Sequence, residues 1–161
     1  MPEINEEPIA TRTDGSPIYD NTATVVCLCL LNGDGKLITV RRNNEPGKGK
    51  LGLPGGYHMK GEGWQMAGAR ELFEETGYVI DPAYIEQGAM TVTDQYDNNL
   101  IVAKFVGNDM AYDTSFKLPD EVQEVVLLDE VYNPEEWAFP IHFAAAFDFM
   151  QQRQAFLNQI K

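Results

Sequence analysis

Positive charge is scarce in this chain. It has 12 Lys and Arg residues against 25 Asp and Glu residues, which gives a formal net charge of -13 at pH 7. A surface this acidic repels nucleic acid and free phosphate compounds alike. The composition therefore predicts no DNA partner, and it predicts that a phosphate-containing substrate arrives together with cations.

Long hydrophobic runs and cysteines are also scarce. The longest apolar run, residues 25–31, has the length of a strand and not of a membrane span. The acidic N-terminal sequence MPEINEEPIA lacks the apolar core of a secretory signal, so we expect a cytoplasmic protein with no membrane partner. Only Cys27 and Cys29 are present, and they alternate within one apolar run. This spacing indicates buried, reduced thiols on one face of a strand rather than a metal knuckle or a redox pair.

The length of 161 residues suits a single domain, residues 1–161, with one core. Apolar and β-branched patterning predicts strands at residues 22–31, 37–41, 85–93, 100–106 and 122–128. The Asn-Gly-Asp-Gly sequence at residues 32–35 predicts a hairpin turn, and residues 55–63 are predicted to be irregular. The turn-rich residues 1–21 form either an edge hairpin or an arm that reaches the partner subunit of a homodimer.

Two helices complete the predicted element order. Residues 64–76 contain no Pro and are rich in Ala, Glu, Leu and Arg, and Gly77 follows in the position of a left-handed C-cap. A second helix is predicted after Pro140, with an inner face formed by Phe143, Phe147, Met150 and Leu157. Strands, a helix, more strands and a final helix predict an α/β fold with a mixed β-sheet between helices.

The first of these helices presents a cluster of acids. On a helical wheel, Glu71, Glu74 and Glu75 share an arc of about 100°. The opposite arc is predicted to face the core and is formed by Met66, Ala69, Leu72 and Phe73. Crowded carboxylates repel one another, and a bound Mg²⁺ or Mn²⁺ relieves that repulsion. The helix alone leaves a second interpretation open, which is a solvated acidic face.

A longer motif contains this helix. Residues 56–78 read GYHMKGEGWQMAGARELFEETGY. This segment resembles the Nudix box, G-x5-E-x7-R-E-U-x-E-E-x-G-U, in which U is a bulky apolar or aromatic residue. Every defined position is filled. The resemblance implies the Nudix fold, an α/β/α sandwich with a mixed β-sheet between helices. It also implies hydrolysis of a phosphoanhydride with Mg²⁺ or Mn²⁺ as cofactor.

The resemblance assigns metal ligands position by position. It implies that Glu71 and Glu75 are the principal ligands and that Glu74 shares the metal cluster. It further implies that the backbone carbonyl of Gly56 reaches the metal, and that this glycine permits a tight loop.

Other positions of the motif receive supporting roles from the resemblance. Arg70 would hold the catalytic Glu side chains by ion pairing. Glu62 would either reach a metal-bound water or anchor the loop, and Gly77 would end the helix. The general base varies within the family between a Glu of the box and an acid on a later loop. Among the candidate loop acids Asp120, Glu121 and Glu124 we favour Glu121, although the end of a solvated loop explains it at least as well.

Substrate contacts are sought among the few basic residues and among side chains near the motif. The candidate substrate-binding residues are Arg41, Arg42, Lys48, Tyr57 and Glu62. A short solvated loop is an alternative explanation for the basic ones. Tyr112 and Phe116 are considered for stacking on a base, whereas His142 is interpreted as structural.

The segment EPGKGKLGLPGGY resembles the region before the box in pyrophosphatases of the ADP-ribose and NADH type. This resemblance implies hydrolysis of ADP-ribose to AMP and ribose 5-phosphate, or of a related dinucleotide. Three alternatives stay open at this point. One is house-cleaning hydrolysis of non-standard nucleoside triphosphates to monophosphate and pyrophosphate. The others are a nucleotide-binding sensor without catalysis and, less compatible with the acidic surface, hydrolysis of RNA caps.

Overall fold

A computed structural model describes residues 1 and 3–161, and side chains throughout these except at residues 89–91. The strands are β1 Ala10–Thr11, β2 Pro17–Ile18, β3 Thr24–Cys29, β4 Leu37–Arg42, β5 Leu51–Gly52, β6 Gly55–Tyr57, β7 Tyr78–Ile80, β8 Ile85–Thr93, β9 Asn99–Phe105, β10 Met110–Tyr112 and β11 Val122–Leu128. The helices are α1 Trp64–Thr76 and α2 Pro140–Gln159, with short 3₁₀ turns at Pro82–Tyr84 and Pro134–Glu136.

Two sheets form the centre of the molecule. One has the strand order β6-β3-β9-β8 and the other the order β11-β4-β5. In the four-stranded sheet, β3 and β9 are parallel, whereas β3 with β6 and β8 with β9 are antiparallel. This sheet is therefore mixed, as predicted. Successive residues of β3 point to opposite faces: Leu28 packs in the cluster that contains α1, and Cys27 and Cys29 pack in the cluster that contains α2. This arrangement confirms the α/β/α sandwich, and both thiols are buried and reduced.

Helix α1 has the predicted bounds and ends at Gly77, whose φ of 77° is left-handed and whose N–H donates to the carbonyl of Phe73. Its predicted core face is wrong in part, because Met66 and Phe73 are exposed. The buried arc is rotated toward the acids and includes Gly68 and Glu75. A Cβ at Gly68 would lie 3.1 Å from a methyl of Leu28, so the small residue lets the helix approach β3 closely. This rotation turns Glu75 inward.

Helix α2 begins at Pro140, as expected for a residue that needs no backbone N–H at the first helical position. Its inner face is only partly the predicted one, since Met150 is buried but Phe147 is exposed. The buried positions nearer its start are His142, Ala145 and Ala146. Small alanines therefore bring this helix close to the sheet, and of the two predicted aromatic residues Phe143 packs against the core whereas Phe147 does not. No helix of the described residues is long and apolar enough to cross a membrane.

The remaining predictions had mixed outcomes. Strands β1 and β2 pair with each other in a two-stranded sheet of their own, so the segment contains a hairpin; its place at a sheet edge and its role as an arm toward a partner stay predictions. The predicted irregular stretch after residue 55 is wrong at its start, because β6 pairs with β3 there. Strands β7 and β10 were not predicted, since each has only three residues and they pair solely with each other.

Candidate active site

A cavity of about 880 Å³ opens beside α1, and the acids of the motif line it. Helix α1 contributes Glu71, Glu74 and Glu75, which lie on one side of the helix because they are three and four residues apart. Glu121, which immediately precedes β11, lines the same cavity. The fold thus brings the predicted ligand acids and the favoured loop acid together.

Glu75 is the most deeply buried of these acids, with 8% of its surface exposed. Its Oε1 accepts a hydrogen bond of 2.9 Å from the N–H of Gly55, and no ion pair to it exists among the described residues. Burial above all, together with the charges of Glu71 and Glu121, raises the pKa of Glu75 to about 8, against the lowering effects of the Gly55 N–H and Arg42. A cation bound beside Glu75 would favour the ionised form of this carboxyl group.

Arg70 binds the side chains of three acids and one backbone carbonyl. Its guanidinium donates to both oxygens of Glu62, at 2.7 and 3.0 Å. It also donates to Glu71 at 2.7 Å, to Glu74 at 3.3 Å, and to the carbonyl of Tyr57 at 3.0 Å. The ion pairs expected of Arg70 are therefore present for two of the three acids on α1.

Glu62 anchors the loop that precedes α1. Besides its bidentate pair with Arg70, it accepts a hydrogen bond of 3.0 Å from the N–H of Met59. These hydrogen bonds, that from Arg70 above all, lower the pKa of Glu62 to about 2, so the carboxylate stays ionised. Of the two roles expected for Glu62, the geometry supplies the anchor, and contact with a metal-bound water stays a prediction.

Gly56 leaves the space that the carboxyl group of Glu71 occupies. A Cβ at this position would overlap the carboxyl group of Glu71 and lie 2.6 Å from both of its oxygens. Strand β6 is thereby held directly against the acids of α1, with Gly56 paired to Val26 of β3. The carbonyl contact to a metal that the resemblance implies is not tested by this geometry.

Aromatic side chains line another part of the same cavity. Tyr96, from the turn between β8 and β9, and Phe139, just before α2, form an edge-to-face pair with ring centroids 6.4 Å apart. Arg42 lies over the ring of Phe139 at 4.9 Å, and its Nε donates to the carbonyl of Pro46 at 2.9 Å. Tyr96 and Phe139 were not predicted as site residues, because their neighbouring sequence indicates only a turn and the start of a helix.

Not all predicted substrate-binding residues reach the cavity. Arg42 and Tyr57 line it, but Arg41, Lys48 and Glu62 are not among its lining residues. Arg41 instead pairs with Glu124 at 2.6 Å. Because successive residues of a strand point to opposite sides, only one of the two adjacent arginines on β4 can face the cavity.

The aromatic residues considered for stacking lie elsewhere. Tyr112 lies in β10, where its ring packs against that of Tyr78 with the ring centroids 5.2 Å apart. Phe116 packs against Gly77 at the C-terminal end of α1, so closely that a Cβ on that glycine would lie 2.6 Å from the ring. Neither residue lines the cavity, so the structure does not support base stacking there.

The acids suit a divalent metal in kind but are not gathered around one point. Among the described residues, no group of three or more His, Cys, Asp or Glu side chains is arranged to hold a metal ion. Glu71 and Glu74 are turned toward Arg70. The donor set nevertheless consists of hard carboxylate oxygens, and Glu75 is a buried acid without a cationic partner in hydrogen-bonding contact. The residues therefore fit Mg²⁺ or Mn²⁺.

Comparisons with known proteins agree with the fold. An ADP-ribose pyrophosphatase of Methanocaldococcus jannaschii is 40% identical over 50 residues, which are 31% of this chain and 30% of that protein. The match thus spans less than a third of the curated relative's length. A NUDIX hydrolase structure from Nitrosomonas europaea has a TM-score of 0.64 at 22% identity, covering 88% of this chain and 77% of that one.

A further similar structure contains ligands. It is a bifunctional NMN adenylyltransferase/ADP ribose pyrophosphatase from Francisella tularensis, complexed with AMP and a Mn ion. Its TM-score is 0.54 at 19% identity, covering 88% of this chain and 42% of that one. At these identities the solved structures show the shared fold. The sequence model of the NUDIX domain matches residues 20–147, and the chain belongs to the NUDIX family.

Proposed function

We propose that this chain is a divalent-metal-dependent hydrolase of nucleoside diphosphates linked to a second group, with ADP-ribose as the first compound to test. One observation supports the proposal above all: a single cavity combines the glutamates of α1 and Glu121 with an aromatic pair. The carboxylates suit a metal-bound diphosphate, and the aromatic rings suit a nucleoside base. The names of the similar proteins, which mention ADP-ribose, AMP and Mn, support the same choice.

Glu71, Glu74 and Glu75 would hold the metal in this proposal. Bound Mg²⁺ or Mn²⁺ would neutralise diphosphate charge and acidify an attacking water. Arg70 fixes the loop through Glu62 and keeps Glu71 and Glu74 at the cavity wall. Without cations, the negative charge of these acids would repel the diphosphate.

Glu121 is proposed as the general base, because it lines the cavity from the residue before β11 and not from the helix that carries the metal ligands. A carboxylate there can take the proton of the attacking water. Replacing Glu121 with Gln should lower kcat by about 10²–10⁴-fold with little change in KM. Glu124→Gln is the matched control, since Glu124 pairs with Arg41 outside the cavity. If the two variants are equally active, the general base is instead a Glu of the motif.

Tyr96 and Phe139 are proposed to receive the nucleoside base, with Arg42 beside them for ribose or phosphate. Tyr96 is 49% exposed, so a face of its ring is accessible to a ligand. Arg42 is the cavity-lining cation that is not occupied by the acid cluster, since Arg70 is bound to three carboxylates. A base stacked on these rings would leave the diphosphate near the acids.

The test is a panel of nucleotide derivatives with identification of products. ADP-ribose should yield AMP and ribose 5-phosphate, whereas a house-cleaning enzyme would convert triphosphates to monophosphates and pyrophosphate. Chelator should abolish turnover, and added Mg²⁺ or Mn²⁺ should restore it. Turnover that is indifferent to chelation, or binding of the panel without any turnover, would overturn the proposal; the second result would favour a sensor.

A further inference from the structure

A buried imidazole borders the cavity without belonging to the acid cluster. His142, in the first turn of α2, is 8% exposed. Its Nδ1 is 3.1 Å from the backbone nitrogen of Leu53, and its Nε2 is 3.5 Å from the sulfur of Cys27. An amide N–H can only donate, so Nδ1 is the acceptor. The ring is therefore neutral, with its proton on Nε2.

The imidazole replaces a backbone partner that the chain cannot supply. Leu51 forms a parallel bridge with Trp137, and its carbonyl accepts a hydrogen bond of 2.9 Å from Ala138. Two residues after Ala138 the chain enters helix α2 at Pro140, so the backbone pairing between these two segments ends there. The N–H of Leu53 is buried at that point, and His142 accepts its hydrogen bond. A buried N–H without a partner would be costly.

The segment that His142 holds, residues 53–55, contains the backbone N–H that donates to Glu75. Two residues after Leu53, the N–H of Gly55 donates to Glu75 at 2.9 Å. Cys27 packs against both His142 and Gly55: its sulfur contacts the imidazole, and it leaves no space for a side chain at Gly55. A Cβ on Gly55 would lie 2.7 Å from the Cα and the sulfur of Cys27.

We propose that His142 is a positioning residue for Glu75: its Nδ1 fixes residues 53–55 so that the N–H of Gly55 is aimed at the Glu75 carboxylate. The geometric part stands independently, and the catalytic consequence rests on the proposed function. His142 touches neither the acids nor, in this proposal, the substrate. It acts through the backbone, as groups behind metal ligands commonly do.

The charges around His142 favour the neutral ring. Burial, and then the nearby Arg42, lower the pKa of His142 to about 4, while Asp94 raises it less. Burial also raises the pKa of the Cys27 thiol, so that the group facing Nε2 stays uncharged. The acceptor at Nδ1 is therefore available throughout the neutral range.

Two substitutions test the proposal in metal-free protein. His142→Leu removes the acceptor, whereas His142→Asn places a carbonyl oxygen the same number of bonds from the Cα as Nδ1. Amide hydrogen exchange at Leu53 and Gly55 should become about tenfold faster in His142→Leu. It should remain near the wild-type rate in His142→Asn, and Ile38 on β4 should be unaffected in both.

Metal affinity and turnover give independent readouts. Titration with Mn²⁺ alone, followed by electron paramagnetic resonance, should show affinity weakened by about 10- to 100-fold in His142→Leu and largely restored in His142→Asn. With ADP-ribose, kcat should fall over the same range in His142→Leu and recover in His142→Asn. If the wild type does not hydrolyse ADP-ribose, the proposed function fails, but the exchange and Mn²⁺ measurements still decide the role of His142.

Several outcomes would overturn the proposal. One is unchanged exchange at Gly55 in His142→Leu, and another is equal acceleration at Gly55 and Ile38, which would indicate only a general loss of stability. If neither variant folds, nitrogen chemical shifts of the wild-type imidazole remain decisive. They should show a proton on Nε2 and an unprotonated, hydrogen-bonded Nδ1. A proton on Nδ1 would refute the inference.

Discussion

Replacing Glu75 with Gln should stabilise the metal-free protein while it removes activity. Gln keeps the oxygen that accepts the Gly55 N–H and has almost the same size, but it carries no charge. It therefore removes the repulsion from Glu71 and Glu121 and the desolvation of a buried carboxylate. Activity should fall by orders of magnitude, because a charged metal ligand is lost.

The magnitude follows from the pKa of Glu75. It is about 8 in the folded protein, against 4.5 for an unperturbed Glu. Between these values the folded state binds more protons than the unfolded state, so the free energy of unfolding falls as pH rises from about 4.5 to 8. At pH 7 the folded carboxyl group is mostly protonated, and taking up that proton lowers the free energy of unfolding by at most about 3 kcal/mol. For a domain of this size, that corresponds to a rise in Tm of roughly 6–12 °C in the variant.

The assay is thermal unfolding, followed by circular dichroism in the presence of chelator, at pH 5 and pH 8. The difference in Tm between Glu75→Gln and wild type should be small at pH 5 and large at pH 8. His142, whose pKa is lowered to about 4, makes stability rise with pH between about 4 and 6.5, but this effect is common to both proteins and cancels. Glu74→Gln is the control, because Glu74 is mostly exposed.

Two results would refute this reasoning. A Tm difference that is the same at pH 5 and pH 8 would mean that the charge of Glu75 is not destabilising. A variant less stable than wild type at pH 8 would mean that Glu75 forms a favourable ion pair in the metal-free protein. Saturating Mg²⁺ should stabilise the wild type more than the variant, since only the wild type offers the charged ligand.

Two further substitutions test the cavity, each beside a control of the same residue type. Gly56→Ala should lower activity by at least about tenfold in a steady-state assay, because its methyl group displaces Glu71, whereas Gly33→Ala has open space around it and should be neutral. Tyr96→Ala should raise KM for ADP-ribose by about tenfold, because stacking of about 1–3 kcal/mol per base is lost. The control is Tyr132→Ala, which should leave KM unchanged because Tyr132 is exposed and outside the cavity lining. An unchanged KM in Tyr96→Ala would mean that the base binds elsewhere.

Local signals in the sequence predict α1 and its end well. The absence of Pro and the presence of Gly77 are properties of a few consecutive residues, and the helix has the predicted bounds. The helix face is harder to predict, because hydrophobicity favours burial of Met66 and Phe73, both of which are exposed. The close approach of Gly68 to β3 decides the orientation instead, and only the tertiary structure shows it.

The motif likewise identifies the acids of the cavity but not the residues across from them. Tyr96 and Phe139 are more than forty positions apart in the chain and meet only because β8, β9 and α2 adjoin the same cavity. Arg41 and Arg42 have the same chemistry and adjacent positions. Strand register sends Arg42 to the cavity and Arg41 to Glu124, and register is set by pairing with β11.

The parallel pairing of β3 with β9 has a consequence for how the chain folds. Thr24 pairs with Asn99, so the strand at the centre of the molecule is synthesised long before its partner. Contacts this distant in sequence close large loops and slow folding. Until β9 is complete, one edge of β3 lacks its hydrogen-bonding neighbour, and the apolar residues 25–30 are open to association with other chains. Aggregation of shortened products that end before residue 99 is the expected result.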